Sequence, residues 1–398
     1  MPRWCHHRNS VDQSRRASPR RTLLRVDDGG VPRVLFAAQP TVAGVAQCVV
    51  DWTTGLRDRG WDVALACPDD GWLATRCRDA GIPVDRWDSV RQPYKGLRKE
   101  LGQMKEIVAQ RDPDVVFLQG SKAGLIGRLL LRSAKPTAFS PHSWSFEAAN
   151  GPIGWAALQW ERRAARWTDR FICVSEAEAA DGRAHAIHGA YVIARNGVDT
   201  THISPLTRDQ RASLRHRLGI APDEIAVVCV GRVHRQKGQD VLLAAWPHVT
   251  SPQAHLVIVG DGPELAQAQA QASGAVTFVG GVDRPEALEW MQAADLLVMP
   301  SRWEGMALVP LESLAVGTPV ISSDVTGARE AIDPSCGEVF PPEEPAALAA
   351  TLARWIPRVS DGGEALRQAA RQRILQGFDL SGTLTILDET LRDMLQLR

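Results

Sequence analysis

"DLLVMPSRWEGMALVPLESLAVGTPVISS", residues 295–323, holds one complete structural unit. Its ends, "DLLVMPS" and "PVISS", are short apolar runs of the kind that form buried parallel strands. Between them Pro310 fits only the first turn of a helix, and Gly317 with Pro319 marks its end, so a helix is predicted from about Leu308 to Val316. Glu304, Gly305, Met306 and Ala307 then lie in the loop from a strand's carboxyl end to a helix's amino end. Free N–H groups and the positive end of the helix dipole gather there, which suits an anion. Gly305 and Ala307 let a ligand approach the backbone closely. Glu304 and Glu312, eight positions apart, would repel an anion but accept hydrogen bonds from neutral hydroxyls. A ligand with both phosphate and hydroxyl groups satisfies both halves of the pattern. The alternative is a solvated loop glutamate and an exposed helix glutamate, and neighbouring loops must decide.

The same strand–loop–helix rhythm recurs on both sides. Upstream in this half come "IAVVCV", "HLVIVG" and "VTFVG", making five predicted strands with the two above. "VVCVGRVHRQKGQDVLLAAW" puts Arg232 and Lys237 in a loop on the same sheet edge, where two cations could grip a diphosphate. Read singly, each is a solvated surface cation. "VIVGDGPELAQAQA" is explained as well by a tight turn, and "FVGGVDRPEALEWMQAAD" offers backbone groups near Gly281 and Val282 for a base.

The first half alternates likewise through "RVLFAA", "DVALAC", "DVVFLQ" and "PTAFSPH". Such alternation predicts an α/β chain with two doubly wound parallel-sheet domains. The chain therefore divides into a basic leader (1–28), a first domain (29–200), a second domain (201–380) and a last helix (381–398) that either packs locally or crosses back to the first domain. Gly44, opening the first long helix, and His142, after a strand beside Pro141 and Trp144, are the first domain's candidates for the same cleft. A loop glycine and a satisfied loop histidine are the structural alternatives. Lys122, Arg128 and Arg132 read from the sequence as an ordinary basic helix face.

With 398 residues, two full cores can be buried. Basic and acidic residues balance at 46 each, so any anion site must be local. Seven scattered cysteines without CxxC spacing point to reduced thiols in a cytosolic protein and away from a zinc site. No apolar run reaches the roughly 18 residues of a membrane span. The leader lacks the apolar core of a secretory signal.

In order and spacing, "AGVAQCVVDW", "SKAGLIGR", "PHSWSF", "RNGVD", "VGRVHRQKG", "IVGDGPE", "EGMALVPLE" and "GTPVISSDVTGAREAI" resemble the retaining glycosyltransferases of family 4, which have the GT-B fold of two Rossmann-like domains facing a cleft. The resemblance implies a UDP- or GDP-sugar held by the second domain and a saccharide or lipid-linked acceptor entering over the first. It assigns Arg232 and Lys237 to the leaving diphosphate, Glu312 to the ribose, and Glu304 with the N–H groups of Met306, Ala307 and Leu308 to the transferred sugar. It brings His142 to that sugar from the first domain and Gly44 to the cleft wall, with Lys122 and Arg128 on the acceptor side. It implies no bound metal or cofactor, no nucleic-acid partner, and a cytoplasmic enzyme at the inner membrane face that builds surface polysaccharide or glycoconjugate. A GT-B epimerase and a non-catalytic nucleotide-sugar binder are the competing classes. Three departures stand out: Ala43 and Ser143 occupy positions where the family often has glycine, and Met306-Ala307 replaces bulkier or Gly/Pro-containing forms.

Overall fold

The computed structural model describes residues 30–396 apart from residues 91, 93, 94 and 148–150. The expectation for a leader over 1–28 falls outside the described residues. The first sheet is made by β1 (Arg33–Ala38), β2 (Asp62–Cys67), β3 (Val84–Arg86), β4 (Val115–Gln119), β5 (Thr137–Ser140), β6 (Arg170–Cys173) and β7 (Tyr191–Ile193). The second is made by β8 (Ile225–Val230), β9 (Ala254–Val259), β10 (Val276–Gly280), β11 (Leu296–Met299), β12 (Val320–Ser323) and β13 (Gly337–Phe340). The orders are β3-β2-β1-β4-β5-β6-β7 and β10-β9-β8-β11-β12-β13, with every pairing parallel.

The central strands are buried on both faces, which is why "RVLFAA" and "VVFLQ" read as unbroken apolar runs. Five strands were expected in the second half and six are present. The extra one, "GEVF", is four residues long and lies at the sheet's edge, too short to show a pattern. Edge strands β3 and β7, three residues each and half exposed, escaped for the same reason.

Each sheet reverses winding direction once, between β1 and β4 and between β8 and β11. Such reversals leave a crevice at the strands' carboxyl ends, where open α/β sheets bind ligands. One apolar core joins the two domains: Val34, Phe36 and Trp52 of the first belong to the same buried cluster as Leu297, Met306 and Leu311 of the second. The chain passes between domains where Val198 and Asp379 form a bridge, with Val198 N–H on the Phe378 carbonyl (2.9 Å) and Leu380 N–H on the Val198 carbonyl (3.0 Å). Beyond it the helix Leu380–Gln396 returns to the first domain. Trp61 Nε1 donates to Asp388 Oδ1 at 2.6 Å, and Leu384, Leu387, Leu391 and Met394 are buried.

Among the described residues no helix is long and apolar enough to cross a membrane. The six described cysteines are all buried and free.

Candidate active site

The helix predicted from Leu308 runs from Leu308 to Ala315, with Ala307 as an N-cap that offers no side-chain bond to the first N–H groups. Its free amides therefore point into the crevice between β8 and β11. The loop after β8 tightens into a single turn at Arg235–Lys237 and turns out through Gly238, whose φ is +66° and where a Cβ would collide with the Pro300 carbonyl. Only glycine lets these two loops lie so close. Gln236 Nε2 donates to the Trp303 carbonyl (3.1 Å) and the Arg302 N–H to the Gln236 carbonyl (2.7 Å).

That stitching brings Lys237 Nζ to 2.6 Å from Glu304 Oε1, with the glutamate only 8% exposed. Arg232 lies exposed in the same loop and makes no ion pair among the described residues. Glu312 is also buried, and Arg284 holds its Oε1 from Nε (2.8 Å) and Nη2 (2.7 Å). Sequence reasoning missed Arg284. It opens the helix Arg284–Ala293 just after "GGVD", where the sequence signals only backbone groups.

The first domain presents a second uncapped helix end. Ala43–Asp58 begins after Val42 without a side-chain cap, and a side chain at Gly44 would come within 4.0 Å of Leu308 Cδ1. Two helix amino ends thus face each other across the cleft, so their dipoles reinforce one another toward an anion. After β5, His142 (φ +54°) and Ser143 (φ +98°) make a left-handed turn. Gly305 packs against it so closely that a Cβ there would lie 3.0 Å from the His142 carbonyl carbon.

The His142 ring stacks on Trp52, with centroids 5.4 Å apart, and its Nε2 donates to Gln119 Oε1 at 2.7 Å. Burial pushes its pKa down to about 3, so the imidazole is neutral at physiological pH. A histidine with a free N–H would donate to a sugar hydroxyl. With Nε2–H occupied by Gln119, the remaining Nδ1 is an acceptor instead.

Beneath the turn, Glu178 accepts the Ser143 N–H (2.6 Å) and the Val174 N–H (2.9 Å). Burial raises its pKa to about 7. Glu147 Oε2 accepts Ser143 Oγ–H (2.6 Å) and Trp144 N–H (3.1 Å). Across the cleft Asn196 Nδ2 donates to the Met306 carbonyl at 2.6 Å, fixing the "EGMAL" loop from the first domain. Asp51, on the first helix, is raised to about 6 by burial, against the pull of Arg284. Gln119 and Glu178 carry no motif, and Asn196 enters only as part of "RNGVD".

Gly44, His142, Lys237, Glu304, Gly305, Met306, Ala307, Leu308 and Glu312 thus line or adjoin one interdomain cleft, and Arg232 sits at the end of β8 on its second-domain edge. Lys122 and Arg128 do not. Lys122 is buried, pairs with Glu100 (2.7 Å) and donates to the carbonyls of Gln92 and Lys95, both at 3.0 Å. Arg128 is wholly buried, 2.8 Å from Glu161 and 3.9 Å above the Phe139 ring. Neither can face an acceptor. A charge in a helix looks alike in sequence whether it meets water or an opposite charge inside, and here the opposite charge lies inside. Arg132 alone of that group is exposed.

Residues 43–197 match a family model described as glycosyl transferase 4-like domain, and residues 224–357 match one described as glycosyl transferases group 1. The chain is 34% identical over 232 residues to D-inositol 3-phosphate glycosyltransferase of Jonesia denitrificans, covering 52% of this chain and 53% of that protein. It is 30% identical over 253 residues to GDP-mannose-dependent monoacylated alpha-(1-6)-phosphatidylinositol monomannoside mannosyltransferase of Corynebacterium glutamicum, covering 59% of this chain and 65% of that protein. The matched segment thus spans between about half and two thirds of these relatives. The fold is shared with HepE of Anabaena in complex with UDP and glucose, at TM-score 0.76 and 22% identity over 91% of this chain and 100% of that one.

Proposed function

The chain belongs to the GT-B glycosyltransferases that join these two domains, and from that premise we propose that it moves a sugar from a UDP- or GDP-linked donor to a hydroxyl of a saccharide or lipid-linked acceptor. The observation that carries the reading is the Lys237–Glu304 pair set beneath the free helix end at Leu308, 2.6 Å apart and largely buried. A cation and a bare helix terminus suit a diphosphate, and a carboxylate beside them suits sugar hydroxyls.

In this reaction the acceptor oxygen bonds to the anomeric carbon as the bond from that carbon to the diphosphate oxygen breaks. The electron pair leaves on the diphosphate, and the acceptor's proton passes to that leaving oxygen on the same face, so the anomeric configuration is kept. Arg232, Lys237 and the amides of Met306, Ala307 and Leu308 stabilise the charge that grows on the diphosphate, a role that calls for no metal. Glu312, with Oε1 fixed by Arg284, offers Oε2 to the ribose. His142 lines the first-domain side, its neutral ring held by Gln119 and Trp52. The enzyme acts in the cytoplasm, peripheral to the membrane, in surface polysaccharide or glycoconjugate synthesis.

The test is a thermal-shift titration of the whole chain with UDP, GDP and ADP, since a ligand bound only by the folded state raises the melting temperature. One nucleotide is expected to shift it selectively, and Arg232→Ala to remove the shift. Lys237→Ala should lower kcat more than nucleotide affinity, because its partner charge grows as the bond breaks. Nucleotide binding with no turnover on any sugar donor would favour the non-catalytic binder. Glu312→Ala with unchanged affinity would remove the ribose assignment.

A further inference from the structure

The short helix Ala328–Ala331 packs against the loop that carries Glu304 and the free amides. Gly327 opens it with φ +79°, and a Cβ there would lie 3.0 Å from the Gly305 carbonyl oxygen and 3.2 Å from Met306 Cβ. At its other end Arg373 donates to the Glu330 carbonyl and, from Nε at 3.1 Å, to the Ala331 carbonyl. Helix and loop therefore form one packed block of the second domain.

From this block the side chain of Glu330 reaches the first domain. Its Oε1 accepts the Ala177 N–H at 3.0 Å and its Oε2 accepts from Arg195 Nε at 2.9 Å, with the side chain 18% exposed. Ala177 lies in the first turn of the helix Glu176–Ala184, whose own cap Ser175 satisfies the Glu178 N–H at 3.0 Å. The amide beside it is thus capped by a residue 153 positions away, in the other domain. A carboxylate suits that place, since it meets the positive end of a helix dipole and a guanidinium at once.

Both grips fall one residue away from a side chain that shapes the cleft. Next to Ala177 is Glu178, which fixes the turn of His142 and Ser143, and next to Arg195 is Asn196, which fixes the Met306 carbonyl. Gly305 closes the circuit by packing on the His142 turn. We propose that Glu330 is a positioning residue, which sets the first domain's half of the site in register with the second domain's half. The inference deepens the transfer reaction proposed above and rests on it for its purpose. The side chains assigned to the diphosphate and the ribose all belong to the second domain, whereas the acceptor hydroxyl is delivered over the first. Loss of register should therefore spare donor binding and slow transfer, since a misplacement of about 1 Å can cost about 100-fold in rate.

The first test is hydrogen–deuterium exchange on the full chain without nucleotide. In Glu330→Ala the amides of residues 174–180 lose a charged acceptor and should exchange about tenfold faster. Residues 142–147 and 304–308 should speed up by a similar factor, while β8 and β9 keep the wild-type rate. Faster exchange confined to 174–180 would make Glu330 a local helix cap and overturn the proposal. Glu330→Gln, of the same shape, replaces the alanine variant if that one does not fold.

The second test follows release of nucleotide diphosphate from the sugar nucleotide that the thermal-shift titration selects. Glu330→Ala should lower kcat about 100-fold at an unchanged donor KM. Glu330→Gln keeps an acceptor for Ala177 but no charge for Arg195, and it should recover part of that loss. Arg195→Ala/Glu330→Ala should lose no more than the worse single variant, because the two side chains act as one contact. Wild-type kcat in Glu330→Ala, or a raised donor KM at unchanged kcat, overturns the proposal. Because the exchange experiment uses no nucleotide, failure here and failure of the transferase reading are separate results.

Discussion

Glu178 lies outside every motif, yet its carboxyl holds the amides of Ser143 and Val174, and through them the turn against which Gly305 packs. With a folded pKa near 7 against an ordinary 4.5, it keeps a proton that the unfolded chain releases. Its contribution to stability is therefore complete below pH 4.5 and is lost as pH rises through about 7. At 1.36 kcal/mol per pKa unit the change is at most about 3 kcal/mol. His142 works in the opposite sense, since its pKa is lowered to about 3 from 6.5 and stability falls as pH drops below 6.5. The measurement must therefore be a difference: urea unfolding of wild type and Glu178→Gln from pH 4 to pH 8. The wild type's advantage should shrink as pH rises, and a pH-independent difference would show that Glu178 does not titrate in this range. Arg128 teaches the complementary lesson. Its charge was legible in the sequence, but its neighbour Glu161, thirty-three positions away, was not.

At the level of elements, the departures from family glycines have a physical reading. Ala43 (φ +63°) and Ser143 (φ +98°) both adopt the left-handed conformation that favours glycine, so the chain carries side chains in turns that suit glycine. Left-handed backbone costs an L-residue roughly 1–2 kcal/mol, partly offset by the lower unfolded-state entropy of alanine relative to glycine. Ala43→Gly is therefore expected to leave stability unchanged or raise it by up to about 1 kcal/mol, while Ala43→Val should lower it by about 1–2 kcal/mol. An ordinary helical position would show glycine worse than alanine by about 1 kcal/mol, and that order in a melting series would contradict the turn geometry. The helix at Leu308 was legible almost to the residue because Pro310 and Gly317 punctuate it. Strands β3, β7 and β13 hold too few residues for a period, even where Pro83, Gly337 and Pro341 bracket them.

Across the whole molecule, the helix Leu380–Gln396 and the shared core tie the two domains together. Leu384 seats on Gly55 of the first helix, where a Cβ would be 3.0 Å from its Cγ and closer still to its two methyl carbons. Leu384→Ala should cost about 2–5 kcal/mol. Tryptophan fluorescence and circular dichroism should then report one lowered transition. A lowered first transition followed by an unshifted second would mean that the domains unfold independently. By itself the sequence determined the class of fold, the two-domain division and the loops that carry the second-domain site, because period, proline and glycine act over a few residues. The tertiary structure alone decided which charges are spent inside, that Arg284 holds Glu312, that Asn196 reaches Met306, and that His142 is neutral and bound to Gln119. Those facts depend on burial and on partners brought together from distant parts of the chain, and no local pattern records either.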